Sequence, residues 1–165
     1  MYFSHMRIDQ YKKDEIATTL AARDYKSARD LVGGGTEMDA VVRRLTPTEC
    51  SRLQGFPDGW VDIGDWTDTK GKVHKESDSV KYKALGNAIC IPGWRWLARR
   101  IAGQYERTIT MGSLFAGIGG FELAFKQVGA IPRWSAEIEE FPIAVLKRHF
   151  GDEEEGIEGD VNQFL

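Results

Sequence analysis

The stretch TITMGSLFAGIGGFELAFKQVG, residues 108–129, constrains the fold of this chain more than any other feature. A β-branched, apolar run leads into Gly117, Gly119 and Gly120, and an amphipathic run follows that Gly129 closes. That order reads as strand, tight turn, helix. IPRWSAEI then supplies a second strand, and EEFPIAVLKRHFG a second helix with Phe141, Val145, Leu146 and Phe150 at helical spacing. After the acidic GDEEEGIEGD comes a short extended piece, DVNQFL. Strand, helix, strand, helix, strand at this spacing predicts the first half of a doubly wound α/β sheet.

Ligands of such sheets collect at the carboxyl ends of the strands, where helix N-termini offer unpaired N–H groups. Gly117, Gly119 and Gly120 occupy that place after the first strand, and a glycine lets backbone touch a ligand that a Cβ would hold away. Phe115 and Ile118 are placed to form an apolar wall beside it. Glu137 falls at the end of the second strand, where a carboxylate can accept the hydroxyls of a ribose. Asp160 falls at the third strand's exit and can accept from an adenine amino group. Each also has a plainer reading: a glycine turn that only connects strand to helix, a Glu137 that only charges the next helix's N-terminus, an Asp160 that only forms a turn.

Upstream, the pattern differs. Residues 1–32 are polar and mixed in charge, EIATTLAARDY being their apolar stretch, and Gly33 to Glu37, GGGTE, reads as a flexible joint. From Val41 a β-branched run precedes Thr46-Pro47-Thr48-Glu49, a capping box with proline at the first helical position. A helix of about two turns should follow and stop near Gly55. FPDGW is then a turn, residues 61–80 a surface loop, and Ile91 to Ala102 a helix with Pro92 in its first turn. Trp94, Trp96, Leu97 and Ile101 are expected in the core.

The 165 residues are enough to bury one sizeable core, and no apolar run approaches the roughly 20 residues that a membrane helix requires. The N-terminus has no secretory pattern, so the expected location is cytoplasmic. Cys50 and Cys90 form no CxxC and stand beside no histidine pair, which predicts packed thiols and no metal. A net charge of −3 leaves any DNA contact to a local patch. Arg43, Arg44, Arg52, Lys81 and Lys83 form a modest basic set that reads first as a solvated face with pairs such as Glu49 with Arg52. His74 and His149 receive no role.

The motifs together resemble the DNA cytosine-5 methyltransferases. SLFAGIGGFELAF resembles their first motif, AEIEEF the second and GDVNQF the third; RRLTPTECSRLQGFPDGW is similar to the ninth and KYKALGNAICIP to the tenth. The resemblance covers most of residues 41–164. It implies a partial, Rossmann-like methyltransferase fold, three-layer α/β/α, with S-adenosylmethionine held by Phe115, Ala116, Gly117, Ile118, Gly119, Gly120, Glu137, Ile138, Asp160 and Val161, together with Asn87 and Ala88. The ninth and tenth motifs precede the first, so the order is circularly permuted. A close approach of the usual termini would let AGQYERTIT join them.

The chain departs from the family in several places. Ser113 stands where many relatives have aspartate, Ile138 where many have tryptophan, and Ala88 where a serine follows the asparagine. The Pro-Cys loop that attacks cytosine is absent, and neither Cys50 nor Cys90 has its context, so the expected catalytic set in this chain is empty. The resemblance implies a domain over 41–165, with motifs nine and ten in 41–103 and one to three in 108–165, after a poorly defined 1–40 that is a remnant of the recognition region or a linker. It implies a bacterial or phage restriction-modification context and DNA contact through a complete assembly. This chain alone should be inactive, with the catalytic loop supplied by a complementary subunit. An unpaired edge on the first strand also predicts such a subunit or self-association. The alternative is a non-catalytic scaffold or interaction module.

Overall fold

The computed structural model describes residues 2–5, 11–14, 31–34, 41–151 and 156–158, with side chains from 43 to 151. Four short strands come first: β1 (Tyr2–His5), β2 (Tyr11–Asp14), β3 (Leu31–Gly34) and β4 (Val41–Arg44), paired antiparallel in the order β2-β1-β3-β4. Gly33 and Gly34, read from sequence as part of a flexible joint, belong to β3 and pair with Val42 and Val41. The rest of that joint and EIATTLAARDY lie outside the described residues.

Helix α1 (Pro47–Gln54) forms as its capping box dictates. The Thr46 hydroxyl accepts from the Glu49 amide at 3.3 Å, and Glu49 Oε2 accepts from the Thr46 amide at 2.8 Å. Gly55 ends the helix at φ +81°, where any Cβ would stand 2.7 Å from the Pro92 ring. The expected surface loop is instead a small hairpin, β5 (Trp66–Thr67) with β6 (Val73–His74), followed by α2 (Asp78–Gly86). Asp68 organises the hairpin turn by accepting from the Lys70 and Lys72 amides at 3.0 and 2.8 Å, and its other oxygen meets His74 Nε2 at 2.8 Å.

Helix α3 (Ile91–Ala102) occupies the expected range, but Trp94 and Trp96 are 36% and 58% exposed rather than in the core. Only Ile91 and Ala98 of that helix are buried; Trp94 meets Phe121 edge-on at 4.6 Å, and the Arg100 guanidinium lies 4.1 Å over the Trp96 ring. Cys90 is likewise exposed, whereas Cys50 is buried.

The parallel unit follows as β7 (Thr110–Leu114), α4 (Gly120–Lys126), β8 (Ile131–Ala136), α5 (Glu140–Phe150) and β9 (Gly156–Glu158), in the sheet order β7-β8-β9. This is the expected Rossmann-like β-α-β-α-β path. The third described strand sits inside the acidic run, where Ile157 pairs with Ser135, and DVNQFL lies outside the described residues. Phe141, Val145, Leu146 and Phe150 are buried, as their spacing requires, and join Leu45, Phe56, Trp60, Leu85 and Ile118 in one core. The N-terminal α-helices and the parallel unit therefore share a single apolar interior. Among the described residues no helix is long and apolar enough to cross a membrane, and no cluster of three potential metal ligands occurs.

Candidate cofactor site

Leu114, Ala136 and Glu158 stand side by side in the parallel register, so the residues after each strand emerge at one edge of the sheet. The turn after β7 is unusual in its backbone: Phe115, Gly117 and Gly119 all have positive φ, at 56°, 58° and 81°. For phenylalanine that conformation costs on the order of 1–3 kcal/mol and is the kind of strain found at ligand sites. It holds a ring that is 74% exposed. The Ala116 amide donates to the Ala136 carbonyl at 2.9 Å, tying the turn to β8.

Glu137, directly after β8, reaches back to this turn. Its Oε2 accepts from the Gly117 amide at 2.7 Å, while Oε1 accepts from the Ile138 and Glu139 amides at 2.7 and 2.9 Å. An ionised carboxylate has about four acceptor positions, so one remains on Oε2 for a ligand hydroxyl. In this geometry Glu137 satisfies amides at the start of α5 and keeps an oxygen beside the glycine turn.

A cleft of about 630 Å³ opens there, lined by Gly117, Glu137, Ile138 and Asn87 together with Trp66, Val80, Lys83 and Phe141. That volume lies within the usual range for small-molecule sites. A Cβ on Gly117 would meet nothing of the described residues within 4 Å, so its missing side chain leaves ligand space. The other two glycines differ. A Cβ on Gly119 would stand 2.5 Å from Phe150 Cε2, and one on Gly120 2.6 Å from Ile89 Cγ1, so both serve close packing. Ala116 and Ile118 are buried in the core, 5% and 1% exposed, so Ile118 supports the turn from beneath instead of walling the cleft. Ala88 packs half-buried against the same core, and Phe115 stands exposed at the turn. Asp160 and Val161 lie outside the described residues.

Upstream segments hold the turn in place. Trp60, from FPDGW, donates its Nε1–H to the Ile118 carbonyl at 2.8 Å. His149 of α5 stacks flat on Trp60 with centroids 3.7 Å apart, and its Nε2 meets the Trp60 carbonyl at 2.8 Å. Burial pushes the His149 pKa below its ordinary value, which favours a neutral, donating ring.

Sequence patterns did not point to Trp66 or Lys83 as cleft residues. Trp66 arrives on the hairpin, stacked on His74 at 4.4 Å and edge-on to Phe141 at 5.5 Å. The hairpin is fixed to α5 because Glu140 accepts from the Thr69 amide and hydroxyl at 2.8 and 2.7 Å. Lys83 pairs with Glu139 at 2.7 Å between α2 and the start of α5. No periodicity marks these residues, since each acts across more than fifty positions of chain. The basic set is similarly committed: Arg43 forks onto Glu49, Arg52 onto Asp58, and Lys81 is held by Asp62 and Glu76. Glu49 therefore pairs with Arg43 across the cap, not with Arg52.

A model of the C-5 cytosine-specific DNA methylase family matches residues 2–103 and 109–165. Among similar proteins, a DNA N-6-adenine-methyltransferase of Escherichia phage P1 is 38% identical over 38% of this chain and 11% of its own length. The type II methyltransferase M.BanI of Aneurinibacillus aneurinilyticus is 37% identical over 47% of this chain and 14% of its own. M.HhaI of Haemophilus parahaemolyticus is 33% identical over 55% of this chain and 24% of its own. The matches thus span less than a quarter of each relative's length.

Proposed function

This chain belongs to the C-5 cytosine-specific DNA methylase family, and from that premise we propose that residues 41–165 form the S-adenosylmethionine-binding part of a DNA (cytosine-5) methyltransferase. The observation that carries the reading is the convergence on one cleft of Gly117, Glu137 and Asn87, which come from the turn after β7, the tip of β8 and the C-cap of α2. The residues fit the cofactor. Glu137 keeps one acceptor position for a ribose hydroxyl, Gly117 leaves room where a Cβ would intrude, and Ile138 and Trp66 offer apolar surface to the adenosine.

When bound, S-adenosylmethionine supplies an electrophilic methyl group on its sulfonium sulfur. This chain's part is to bind and orient it. Glu137 would hold the ribose, its own orientation being set by three backbone amides. The strained turn holds the Phe115 ring exposed, outside the cleft lining. The attack on cytosine needs a thiolate nucleophile, and no Pro-Cys pair occurs in the sequence. Cys50 is buried in α1, and Cys90 sits before α3 outside the cleft lining. The Pro-Cys loop and the base-recognition surface are accordingly assigned to a complementary polypeptide, and DNA is contacted by the assembled pair.

Calorimetric titration with S-adenosylmethionine tests the first half of this reading. Binding by the chain is expected, and Glu137→Ala should weaken it by roughly 10- to 100-fold, as the loss of a hydrogen bond to a charged acceptor implies. Absence of binding would overturn the assignment. Mixing the chain with a polypeptide that carries the Pro-Cys loop, then digesting the DNA to nucleosides, tests the second. 5-Methylcytosine is the expected product, and N6-methyladenine or no methylation would refute it.

A further inference from the structure

Glu122 is the one carboxylate of the described residues that is wholly buried, at 0% exposure, and nothing in the proposed binding role uses it. It is the third residue of α4, which begins directly at the end of the glycine turn. Its Oε1 accepts from the Ser135 hydroxyl at 3.0 Å, and the neighbouring Ser113 hydroxyl also favours the ionised form of the same carboxyl group. Among the described residues Oε2 has no hydrogen-bond partner. Ser113 and Ser135 are themselves buried and pair in register on β7 and β8. Ser113 precedes Gly117 by four residues, and Ser135 precedes Glu137 by two. Glu122 therefore ties together the two strands whose tips carry the glycine turn and the ribose-facing carboxylate.

We propose that Glu122 is a positioning residue for the cofactor site: its buried carboxyl group, bridging Ser113 and Ser135, sets the separation of the Gly117 turn from Glu137. The proposal rests on the S-adenosylmethionine reading of that site. It also accounts for Ser113 itself. The small hydroxyl on β7 leaves room for a carboxyl group that comes from the helix.

Burial holds the carboxyl group toward its neutral form, while the serine donors pull the other way. Burial raises the Glu122 pKa, and the nearby Glu137 charge raises it further, against the lowering effect of its own amide and the two serines. Of the other charged groups around α4, Lys126 one turn on lies over the Phe150 ring at 5.7 Å, and Arg95 of α3 bonds Gln127 at 3.4 Å. Neither is among the groups that act on Glu122. A folded-state pKa above the unfolded value means that the folded form holds the proton more tightly. As pH rises through the folded pKa the buried group gains a charge; the serine donors favour that form, but burial, the larger effect, opposes it and the folded arrangement is destabilised. Ionisation would then place an incompletely paired charge beside Glu137.

Two measurements on the full chain and its Glu122→Gln variant test this. In titrations with S-adenosylmethionine across a pH series, the wild type should lose about tenfold in affinity for each pH unit above the Glu122 ionisation, the full coupling that linkage allows. Glu122→Gln should bind with flat affinity over the same steps. Equal profiles for the two proteins would overturn the proposal. The amide resonances of Gly117, Ile138 and Glu139 give a readout that needs no cofactor. They should move with Glu122 ionisation in the wild type and stay fixed in Glu122→Gln, and resonances that titrate identically in both would equally overturn it. A wild type without affinity at any pH defeats the cofactor reading alone, since the amide titration still decides whether Glu122 positions the turn.

Discussion

Substituting alanine singly at Gly117, Gly119 and Gly120 should separate three glycines that look equivalent in sequence. Gly119 has φ +81°, and the new Cβ would lie 2.5 Å from Phe150 Cε2 and 3.2 Å from Leu146 Cδ2. Phe150 is 2% exposed and meets Trp60 edge-on at 5.9 Å, so its ring has nowhere to retreat. Left-handed strain of about 1–2 kcal/mol and overpacking of about 1–3 kcal/mol together predict a loss of roughly 2–5 kcal/mol. That is a large share of the ~5–15 kcal/mol by which a domain is stable. Gly120→Ala carries no such backbone strain but would push against Ile89 Cγ1 at 2.6 Å, so about 1–3 kcal/mol is expected. Gly117→Ala meets no atom of the described residues within 4 Å and should cost only the strain, about 1–2 kcal/mol. Its Cβ would stand in the cleft, so it alone should lose S-adenosylmethionine affinity out of proportion to stability. Urea unfolding and calorimetric titration on the three variants provide the comparison. If Gly119→Ala unfolds at the wild-type urea midpoint, or if Gly117→Ala binds as well as wild type, the division of labour argued from these distances is wrong.

Thr46→Ala should remove the hydroxyl half of the α1 capping box, leave the residue-46 amide on Glu49, and lower stability by about 1 kcal/mol in urea melts. Trp60→Phe keeps most of the ring packing but leaves the buried Ile118 carbonyl without its donor, so a loss of about 1–3 kcal/mol is expected in the same assay. Arg43, with the Thr46 amide and hydroxyl, holds Glu49 down at about 2 from 4.5. A depressed folded-state pKa contributes stability that is present above the unfolded value and lost as pH falls through the folded one. Stability should therefore decline between about pH 4.5 and 2, and Glu49→Gln should flatten that part of the acid-unfolding curve.

The elements legible in the sequence were those whose signals are local. Thr46, Pro47, Glu49 and Gly55 wrote both ends of α1, and Pro92 with the apolar spacing wrote α3. Helix α2 gave no such sign because its buried side is Lys81, Ala84 and Leu85, and a lysine enters that face only because Asp62 and Glu76 meet its charge at 2.6 Å each. The error over Trp94 and Trp96 has the same root. Periodicity shows that a helix has an apolar stripe, but only the tertiary structure determines how much of it a neighbour covers. In the cleft, Gly117 and Glu137 were marked by their places at strand tips, whereas Trp66 and Lys83 depend on long-range pairings with Phe141 and Glu139.

The permuted order of the motifs is compatible with one working site because the packing does not follow the order of the chain. The upstream segment grips the glycine turn through Trp60 on Ile118, and Ile89 and Phe56 against Gly120. The turn's own downstream neighbours, Phe150 and Leu146, close it from the other side. These contacts need α1 to α3 to be adjacent to β7 in space, and the connection from Gly103 to Thr108 is exposed throughout. Such a link contributes little to the core, and loop-closure entropy grows only slowly with its length. Lengthening it by a few glycine and serine residues should therefore leave both stability and S-adenosylmethionine affinity nearly unchanged. A large loss of either would mean that the join itself, and not the interlocked core, sets the geometry of the site.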